Sequence, residues 1–461
     1  MIRRVPVIFV LLLLAADLPA ADADSTAALL QKAQALAWTQ HFEEAASIYG
    51  DILRIDPESH EAILGLARVR LWQSRYREAR SLFGRLTGDV DAAEGAATAA
   101  YWSGDYRTAA RELRGIVAAH PERESARRSL NELRAASAPL AHIDVGLVED
   151  DQPFRAARSE ARVSTFSDPL TRWDVRAGAY DLRRDAVGRH RAPFAVLQNE
   201  TVHPSLRLTS TVSLGAIRTP DSKTHAIGGA SAGVRIAKHD SITVAFRRRE
   251  ILSNATNLYP LAGITSVRWQ HSAPWLASIG IDHDRFSDHN SAIAADAYAL
   301  LPVVTRGRWT LWTGASALTR DTRDSRFYVT GITSTLDASG DFFHYSYRAA
   351  YDPYWTPHDL AEGRLIIAIE GQIGSGIKLK LQGDGGRAGD RAVAFWPDSG
   401  QSPFPARMGS AEFDRTYNPW RVRFTSSTPV ARNTTFEFTY EHSVSAFYRA
   451  NSFHAALARR L

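Results

Sequence analysis

The chain has 461 residues, of which 44% are hydrophobic, and its 55 basic and 50 acidic residues give a formal net charge of +5. This hydrophobic fraction is typical of soluble proteins and excludes a bundle of apolar transmembrane helices. The basic residues are dispersed, which does not favour nucleic-acid binding. Because the sequence contains no cysteine, disulfides, thiolate metal sites and a cysteine nucleophile are excluded.

The N-terminus has the pattern of a secretory signal. Arg3 and Arg4 precede an apolar run over residues 5–16, and the small-residue sequence "ADA" ends at Ala23. A basic start, an apolar run and a small-x-small site predict a cleavable signal peptide over residues 1–23. A membrane anchor, the alternative, needs an apolar run of about 20 residues. We therefore expect the mature protein to leave the cytoplasm.

Residues 24–136 contain three similar helical segments: "HFEEAASIYGDILRIDPES", "RYREARSLFGRL" and "DYRTAARELRGIVAAHPER". The spacing is 34 residues from Phe42 to Tyr76 and 30 residues from Tyr76 to Tyr106. The middle unit is therefore expected to be shorter by about one helical turn. The other aligned positions are Ala45, Ala79 and Ala109, and Tyr49, Phe83 and Leu113.

These segments resemble the tetratricopeptide family, whose repeat has a period of 34 residues. The resemblance implies paired α-helices with small alanines at the contacts and aromatic rings between the helices. Each unit also carries a tryptophan about four residues before the aligned aromatic residue: Trp38, Trp72 and Trp102. Two interpretations remain open for these tryptophans. They belong to the hydrophobic core, or they line a groove that binds a partner protein.

After residue 136 the sequence changes to a two-residue alternation, which is typical of β-strands. In "GIKLKLQ", Ile377 and Leu381 alternate with Lys378 and Lys380. A soluble β-sandwich also alternates, but its dry core does not accept charged side chains in mid-strand, whereas the wet interior of a membrane barrel does. From this alternation alone, the candidate lumen-facing residues are Arg207, Lys378, Lys380, Arg421, Arg423, Glu437 and Glu441.

The strand count follows from the length of this region. At about 20 residues per strand plus connection, residues 137–461 hold about 16 antiparallel strands, an even number that allows closure. Trp275, Trp309 and Trp420 lie at predicted strand ends, as in the aromatic girdles of membrane barrels. The predicted fold class is therefore α + membrane β, with helical repeats over residues 24–136 and a transmembrane β-barrel over residues 137–461.

Two short sequences in this region give local predictions. In "FFHYSYRAAYDPYWTP" the alternation predicts a lipid-facing strand that ends at Tyr351, because Pro353 and Pro357 each remove a backbone donor. The glycine-rich "GDGGRAG", residues 383–389, follows a strand and precedes no helix, so it is predicted to form a turn and not a phosphate loop.

A secretion signal, tetratricopeptide repeats and a C-terminal barrel together resemble the outer-membrane proteins of exopolysaccharide export. These are the poly-N-acetylglucosamine porin, the barrel protein of cellulose export and the YaiO-type barrels. "YDPYWTP" is similar to an aromatic-x-Pro-x-x-Tyr motif at strand ends of the cellulose-export barrels. The resemblance implies a barrel in the outer membrane with its lipid, and repeats in the periplasm. The barrel would export a polysaccharide chain, and the repeats would bind proteins of its biosynthesis, with no cofactor and no catalysis.

Two further functions remain open. The barrel could be a non-conducting anchor for a receptor or an envelope-assembly scaffold. It could also be an outer-membrane hydrolase, or carry a metal site, because "DHDRFSDH" clusters Asp282, His283 and Asp284. A strand that runs into a polar loop explains this cluster equally well, and the sequence has neither an H-E-x-x-H motif nor a Ser-His-Asp arrangement. We therefore expect no catalytic residues and no bound metal.

Overall fold

The computed structural model describes residues 23–151, 154–184, 188–251, 260–325, 327–336, 343–351, 354–374, 376–395, 412–445 and 449–461. The chain divides into two compact units between Ala136 and Ser137. The predicted signal peptide lies outside the described residues except for Ala23, at which the first helix begins.

In residues 23–136 the described chain forms seven helices. Their bounds are α1 Ala23–Trp38, α2 Phe42–Ile55, α3 His60–Trp72, α4 Tyr76–Phe83, α5 Val90–Ser103, α6 Tyr106–Ala119 and α7 Glu124–Ala136. Helix α4 has 8 residues whereas α2 and α6 have 14 each, which confirms the shortened middle unit. Across the described chain, no helix combines the length and the apolar character that a bilayer crossing requires.

The core of this unit contains the residues that the repeat alignment singled out. Ala45, Ala79 and Ala109 are fully buried, because small side chains let the paired helices approach each other closely. Tyr49 and Phe83 are 5% and 2% exposed and fill the space between neighbouring helices. The alignment therefore predicted the core of the helical unit correctly.

Glycines at two helix positions give a direct test of this packing. A Cβ atom on Gly65 of α3 would lie 2.3 Å from Cζ of Tyr49, whereas one on Gly50 of α2 would meet nothing within 4 Å. We expect Gly65→Ala to reduce the free energy of unfolding by about 1–2 kcal/mol, since overpacking outweighs the gain in helix propensity. Gly50→Ala should increase it by about 0.5–1 kcal/mol. Urea unfolding followed by circular dichroism at 222 nm measures both, and a stabilised Gly65→Ala variant would contradict this packing.

In residues 137–461 the described chain forms nineteen β-strands. The first eleven are β1 Leu140–Asp150, β2 Phe154–Asp168, β3 Thr171–Arg184, β4 Gly188–His203, β5 Leu208–Arg218, β6 Thr224–Arg235, β7 Asp240–Glu250, β8 Leu261–His271, β9 Leu276–Phe286, β10 Ser291–Arg306 and β11 Trp309–Thr322. The others are β12 Phe327–Leu336, β13 Phe343–Tyr351, β14 His358–Ile373, β15 Ile377–Phe395, β16 Glu412–Tyr417, β17 Trp420–Ala431, β18 Thr434–Val444 and β19 Arg449–Arg460.

Sixteen of these strands close into an antiparallel barrel. Strands β1 to β11 pair in sequence, β11 pairs with β14, and β14, β15, β17, β18 and β19 continue the ring. The ring closes where β19 pairs with β1 over eleven residues, from Leu140 with Arg460 to Asp150 with Ala450. The predicted fold class, including the strand number, is confirmed.

The strand that ends at Tyr351 is not one of these sixteen. Strand β13 pairs with β12, and β12 adds only two parallel pairs to β15. The hairpin β12–β13 is therefore an excursion from the barrel between β11 and β14. The prediction of a lipid-facing barrel strand over residues 343–351 was wrong, because a regular alternation also forms in a hairpin outside the ring.

Connections of different length distinguish the two ends of the barrel. We call the end where β1 begins and β19 ends the terminal end, and the opposite one the loop end. The connections at the terminal end are short turns, such as Arg306–Trp309 and Ala431–Thr434. The longest intervals between consecutive strands of the ring are those between β7 and β8, between β11 and β14 and between β15 and β17, and all three join strand ends at the loop end. This asymmetry is typical of outer-membrane barrels.

The outer face of the barrel is apolar in its middle. Val175, Val212, Leu214 and Leu365 are 58%, 58%, 70% and 73% exposed. Exposed aliphatic side chains on one parity of successive strands form the apolar band that a barrel presents to lipid. Trp309 and Trp420 stand at the first residues of β11 and β17 on the same face, as predicted, and Trp275 immediately precedes β9. Trp173, which the sequence did not single out, lies near the start of β3 on this face.

Candidate functional site

The inner face of the barrel is the candidate functional site. Side chains alternate between the two faces of each strand, so the register of the ladders assigns them. On β15, Lys378 and Lys380 alternate with Ile377 and Leu381, which are 37% and 48% exposed on the outer face. The ladders pair Lys378 with Gln372 and Ser427, and Lys380 with Glu370 and Thr425. The same parity continues through Arg421 and Arg423 of β17 and through Glu437 and Glu441 of β18.

Six of the seven predicted lumen residues therefore lie on this inner, polar parity. Arg207 does not, because β5 begins one residue later, at Leu208. Pro204 begins a short 3-10 turn, and Arg207 closes it with a left-handed φ of 51°, its N–H donating to the Pro204 carbonyl at 3.1 Å. Proline cannot donate to a ladder, so the strand stops here and Arg207 lies exposed in the β4–β5 turn.

An ion-pair network crosses the inner face from β14 to β18. The carboxylate of Asp384 accepts from Arg364 at 2.8 Å and from Arg421 at 2.9 Å, and its side chain is only 2% exposed. Arg423 donates to Glu441 at 2.6 Å on the adjacent pair of strands. These contacts compensate the charges of Arg421, Arg423 and Glu441 and link four strands of the ring.

A second network lies on β8 to β11. Arg268 forms a two-bond pair with Asp296 at 2.7 and 2.6 Å and lies 3.9 Å from Asp282. Arg320 donates to Asp284 at 2.8 Å. Sequence reasoning did not identify these arginines or Asp296, although the alternation on β8, β10 and β11 places them on the inner parity.

His283 points away from this network. In the β9–β10 ladder, Asp282 and Asp284 share the inner parity with Asp296, and His283 lies on the outer one beside Ile281, which is 57% exposed. The three residues of the hydrolase hypothesis are therefore split between two faces. Across the described residues, no group of three or more His, Asp or Glu side chains is arranged to hold a metal ion.

A third network occupies β1 to β4 and β19. His454 of β19 contacts Asp144 of β1 at 2.5 Å across the closing seam. On β3, Arg172 donates to Asp174 at 3.1 Å and to Glu200 of β4 at 3.3 Å. Ion pairs thus occur on three separate parts of the ring, so the inner face carries charge of both signs.

Apolar and aromatic side chains also line part of the inner face. Tyr180 and Phe194 lie 5.4 Å apart between ring centroids, and Arg158 stands over both rings at 5.9 and 5.7 Å. Val196 and Ile217 pack beside them, 5% and 1% exposed. The continuous apolar run "PFAVL", residues 193–197, is the sequence signal for this patch, because both faces of β4 are apolar there.

Residues 354–357, which we call the mouth segment, fold back over the inner face at the loop end. The ring of Tyr354 stacks on Phe286 with centroids 4.0 Å apart, and its hydroxyl donates to the carboxylate of Asp288. Arg320 stands over the ring of Trp355 at 5.7 Å. Thr356 is fully buried. Residues 354–357 therefore cover part of the barrel mouth and do not form a lipid-facing girdle.

Some cationic side chains on the inner face remain available to a solute. Arg247 and Arg249 of β7 and Lys378 of β15 are exposed and form no ion pair in the described part of the chain. Near the terminal end, a recess of about 390 Å³ is lined by Thr310, Glu370, Gln372, Lys378, Lys380, Thr425 and Ser427, among others. These groups offer hydrogen-bond donors and acceptors along one wall.

The three tryptophans of the helical unit lie on its surface. Trp38 is 72% exposed, Trp102 48% and Trp72 37%, so the interpretation of these rings as core is wrong. Trp38 and Trp72 end helices α1 and α3 and lie 6.0 Å apart, with Phe42 5.8 Å from Trp72. The helical unit therefore presents an exposed aromatic surface.

Comparison with known proteins follows the division of the chain into two units. The sequence model of the tetratricopeptide repeat matches residues 40–100, and none of the curated proteins matches the chain. Among solved structures, the chain is similar to a protein described as a bacterial polysaccharide outer membrane secretin, at 8% identity and a TM-score of 0.48, over 71% of this chain and 99% of that one.

Two further solved structures are similar to the chain at low identity. A loop-deletion mutant of OmpT, an outer membrane protein of Vibrio cholerae, is 8% identical, over 69% of this chain and 98% of that one, with a TM-score of 0.34. The tetratricopeptide domain of Arabidopsis OM64 is 15% identical, over 24% of this chain and 93% of that one, with a TM-score of 0.23. The chain therefore joins a unit that matches the tetratricopeptide repeat to a closed antiparallel barrel of sixteen strands.

Proposed function

We propose that this protein conducts a polysaccharide chain outward across the outer membrane, through the lumen of the barrel. The observation that carries the proposal is the chemistry of the inner face. Paired charges, unpaired hydrogen-bond donors and aromatic rings line a closed ring of sixteen strands. A barrel of this size encloses an aqueous channel. The joining of tetratricopeptide repeats to such a barrel, which resembles exopolysaccharide-export proteins, supports the same function.

The balance of charge favours a hydroxyl-rich solute over a small ion. Channels that select ions use rings of charge of one sign. Here the carboxylates of Asp384, Asp296 and Glu441 are each neutralised by an arginine. Sugar hydroxyls can exchange hydrogen bonds with such polar groups, and the exposed Arg247 and Lys378 add free donors. Aromatic rings at the wall offer stacking surfaces for sugar rings.

The connection lengths support an orientation for the protein. Outer-membrane barrels place their short turns in the periplasm and their long loops outside the cell. The terminal end carries the short turns, and β1 begins there. The helical unit precedes β1 and would therefore lie in the periplasm, which agrees with the predicted export signal.

We assign partner binding to the helical unit. Tetratricopeptide arrays bind other proteins through exposed surfaces. Trp38, Trp72 and Phe42 form such a surface, and exposed tryptophans are enriched where partners bind. Periplasmic proteins of polysaccharide biosynthesis are the proposed partners.

Planar lipid bilayers test the conducting function. We expect the purified full-length protein to give discrete single-channel currents, and neutral oligosaccharides such as chitohexaose to interrupt those currents for measurable times. Equal interruption by a polyethylene glycol of matched size would show that exclusion of volume, not recognition of sugar, causes the effect. Absence of current in the full-length protein and in a variant without the Tyr354 ring would refute export through the lumen.

The mouth segment favours a second function, that of a non-conducting anchor for a receptor or scaffold. Its residues Tyr354, Thr356 and Pro357 are buried against the inner face at the loop end. A segment held this firmly obstructs part of the lumen. Under this alternative, the bilayer current stays absent when the segment is released, whereas the helical unit still binds its partner.

A further inference from the structure

The outer face of the barrel carries arginines near the loop end. Each lies on the same parity as exposed apolar residues further along its strand, such as Phe246 below Arg248 and Ile281 below Arg285. At the terminal end the same face carries mainly apolar and aromatic side chains, including Trp173, together with the exposed Arg459. Among the described residues, the exposed outward arginines near the loop end that form no ion pair include Arg191, Arg218, Arg248, Arg285 and Arg387.

Two of these arginines form a row with a gap between them. The register pairs Arg248 of β7 with Gly263 of β8, and Gly263 with Arg285 of β9. Because neighbouring strands lie about 4.8 Å apart, the two arginine backbones are about 10 Å apart. Gly263 has no side chain, and even a Cβ there would meet only Phe246 and Arg285 atoms at 3.5 Å or more. Gly228 and Ser291 flank the row on its outer sides.

Neither arginine of this row has an acidic partner among the described residues. By contrast, Arg189 on the same rim donates to Asp181. Two uncompensated guanidinium groups therefore stand at the upper edge of the apolar band.

The residues below the row are apolar and exposed. Phe246 and Val267 are each 49% exposed, and Ile281 is 57% exposed on the same face. An arginine row directly above an apolar surface matches a lipid with an anionic head group and hydrocarbon tails. Guanidinium groups bind phosphate through charge-assisted, often paired hydrogen bonds.

We propose that Arg248 and Arg285 bind the two phosphate groups of a lipopolysaccharide molecule in the leaflet at the loop end. The gap at Gly263 leaves room between the arginines for the sugar that joins the phosphates. This inference rests on the proposed placement of the loop end in the outer leaflet. It does not depend on whether the lumen conducts.

The test uses the full-length protein in phosphatidylcholine nanodiscs, with binding of purified lipopolysaccharide measured by titration. We expect the double variant Arg248→Gln/Arg285→Gln to bind at least about tenfold more weakly, since glutamine cannot form the charge-assisted hydrogen bonds of a guanidinium group with phosphate. Arg459→Gln, which removes an outward arginine at the terminal end, is the matched control and should bind as the wild type does. Arg248→Lys/Arg285→Lys, which keeps the charge, should recover part of the affinity.

Three outcomes would overturn the proposal. They are unchanged affinity in the glutamine double variant, equal binding of lipopolysaccharide without its phosphates, and equal binding of phosphatidylglycerol, which would indicate a general anionic surface. A fourth contradicting outcome would be displacement of lipopolysaccharide by inorganic phosphate at an equal concentration, which would show that the row binds free phosphate. Bilayer currents separate this inference from the proposed function, because loss of lipopolysaccharide binding with normal currents affects the lipid site only.

Discussion

Replacement of Tyr354 by alanine is expected to increase the single-channel conductance of this protein in a planar bilayer. The tyrosine ring stacks on Phe286, and its hydroxyl donates to Asp288, so both contacts hold the mouth segment against the inner face. Loss of a buried aromatic ring of this kind costs about 3–5 kcal/mol of packing free energy. The segment should then leave the mouth for part of the time, and the current should rise and fluctuate more.

Tyr440→Ala provides the matched control for this experiment. Tyr440 also has one aromatic neighbour, Phe453 at 5.0 Å, and its hydroxyl contacts Asn451. It lies on the outer parity of β18, between the inward Thr439 and Glu441. Its loss should leave the conductance unchanged. If both variants conduct as the wild type does, the mouth segment does not obstruct the lumen.

Asp384→Ala is expected to destabilise the barrel and to change its ion preference. Asp384 neutralises Arg364 and Arg421, and its removal leaves two partly buried guanidinium groups without that partner. Breaking a buried pair in this way costs about 3–5 kcal/mol, and the lower figure applies here because the Arg421 side chain remains 31% exposed. The same change adds positive charge to the lumen, so the reversal potential in a salt gradient should shift toward anions.

Glu437→Gln controls for the loss of a lumen carboxylate as such. Glu437 lies on the inner parity of β18, is exposed, and has no ion pair among the described residues. The free energy of unfolding of the barrel in urea, followed by electrophoretic mobility, should change by less than about 0.5 kcal/mol in this variant. Equal destabilisation by Asp384→Ala and Glu437→Gln would show that the network around Asp384 contributes no specific stability.

The sequence alone was sufficient for the larger features of the fold. The alignment of Tyr49 with Phe83 found the helical core, because aromatic residues at a fixed period fill equivalent spaces in a repeat array. Parity placed Lys380 and Arg421 on the polar inner face because a strand repeats every two residues. Both patterns repeat many times along the chain, so they could be recognised from the sequence alone.

Features that depend on one local exception to the alternation or to residue preferences were not predictable from the sequence. Pro204 ended β4 and moved Arg207 into a turn, although the alternation continued through it. The glycine-rich residues 383–389 form part of the long strand β15, not a turn, because ladders on both sides outweigh the weak strand preference of glycine. Close approach also requires small residues there, since a Cβ on Gly386 would lie 1.9 Å from the Gly363 carbonyl oxygen.

Contacts between distant segments explain the remaining differences. The mouth segment is anchored by Phe286, which lies 68 positions earlier in the chain than Tyr354, and no local pattern indicates that pairing. The division of Asp282 and His283 between two faces was readable from parity, but their closeness in sequence suggested a shared site. Consecutive residues of a strand point to opposite faces of the sheet, whereas consecutive residues of a loop can point to the same side.

The seam between β1 and β19 constrains how this protein can be made. His454 and Asp144, which meet across it, are 310 positions apart, so the ring cannot close until the last strand has been synthesised. Until then the chain has two open strand edges, each with unpaired backbone groups that can pair with another molecule. Contacts of such long range also form slowly. Safe assembly therefore requires something that shields both edges between export of the chain and arrival of its last twelve-residue strand.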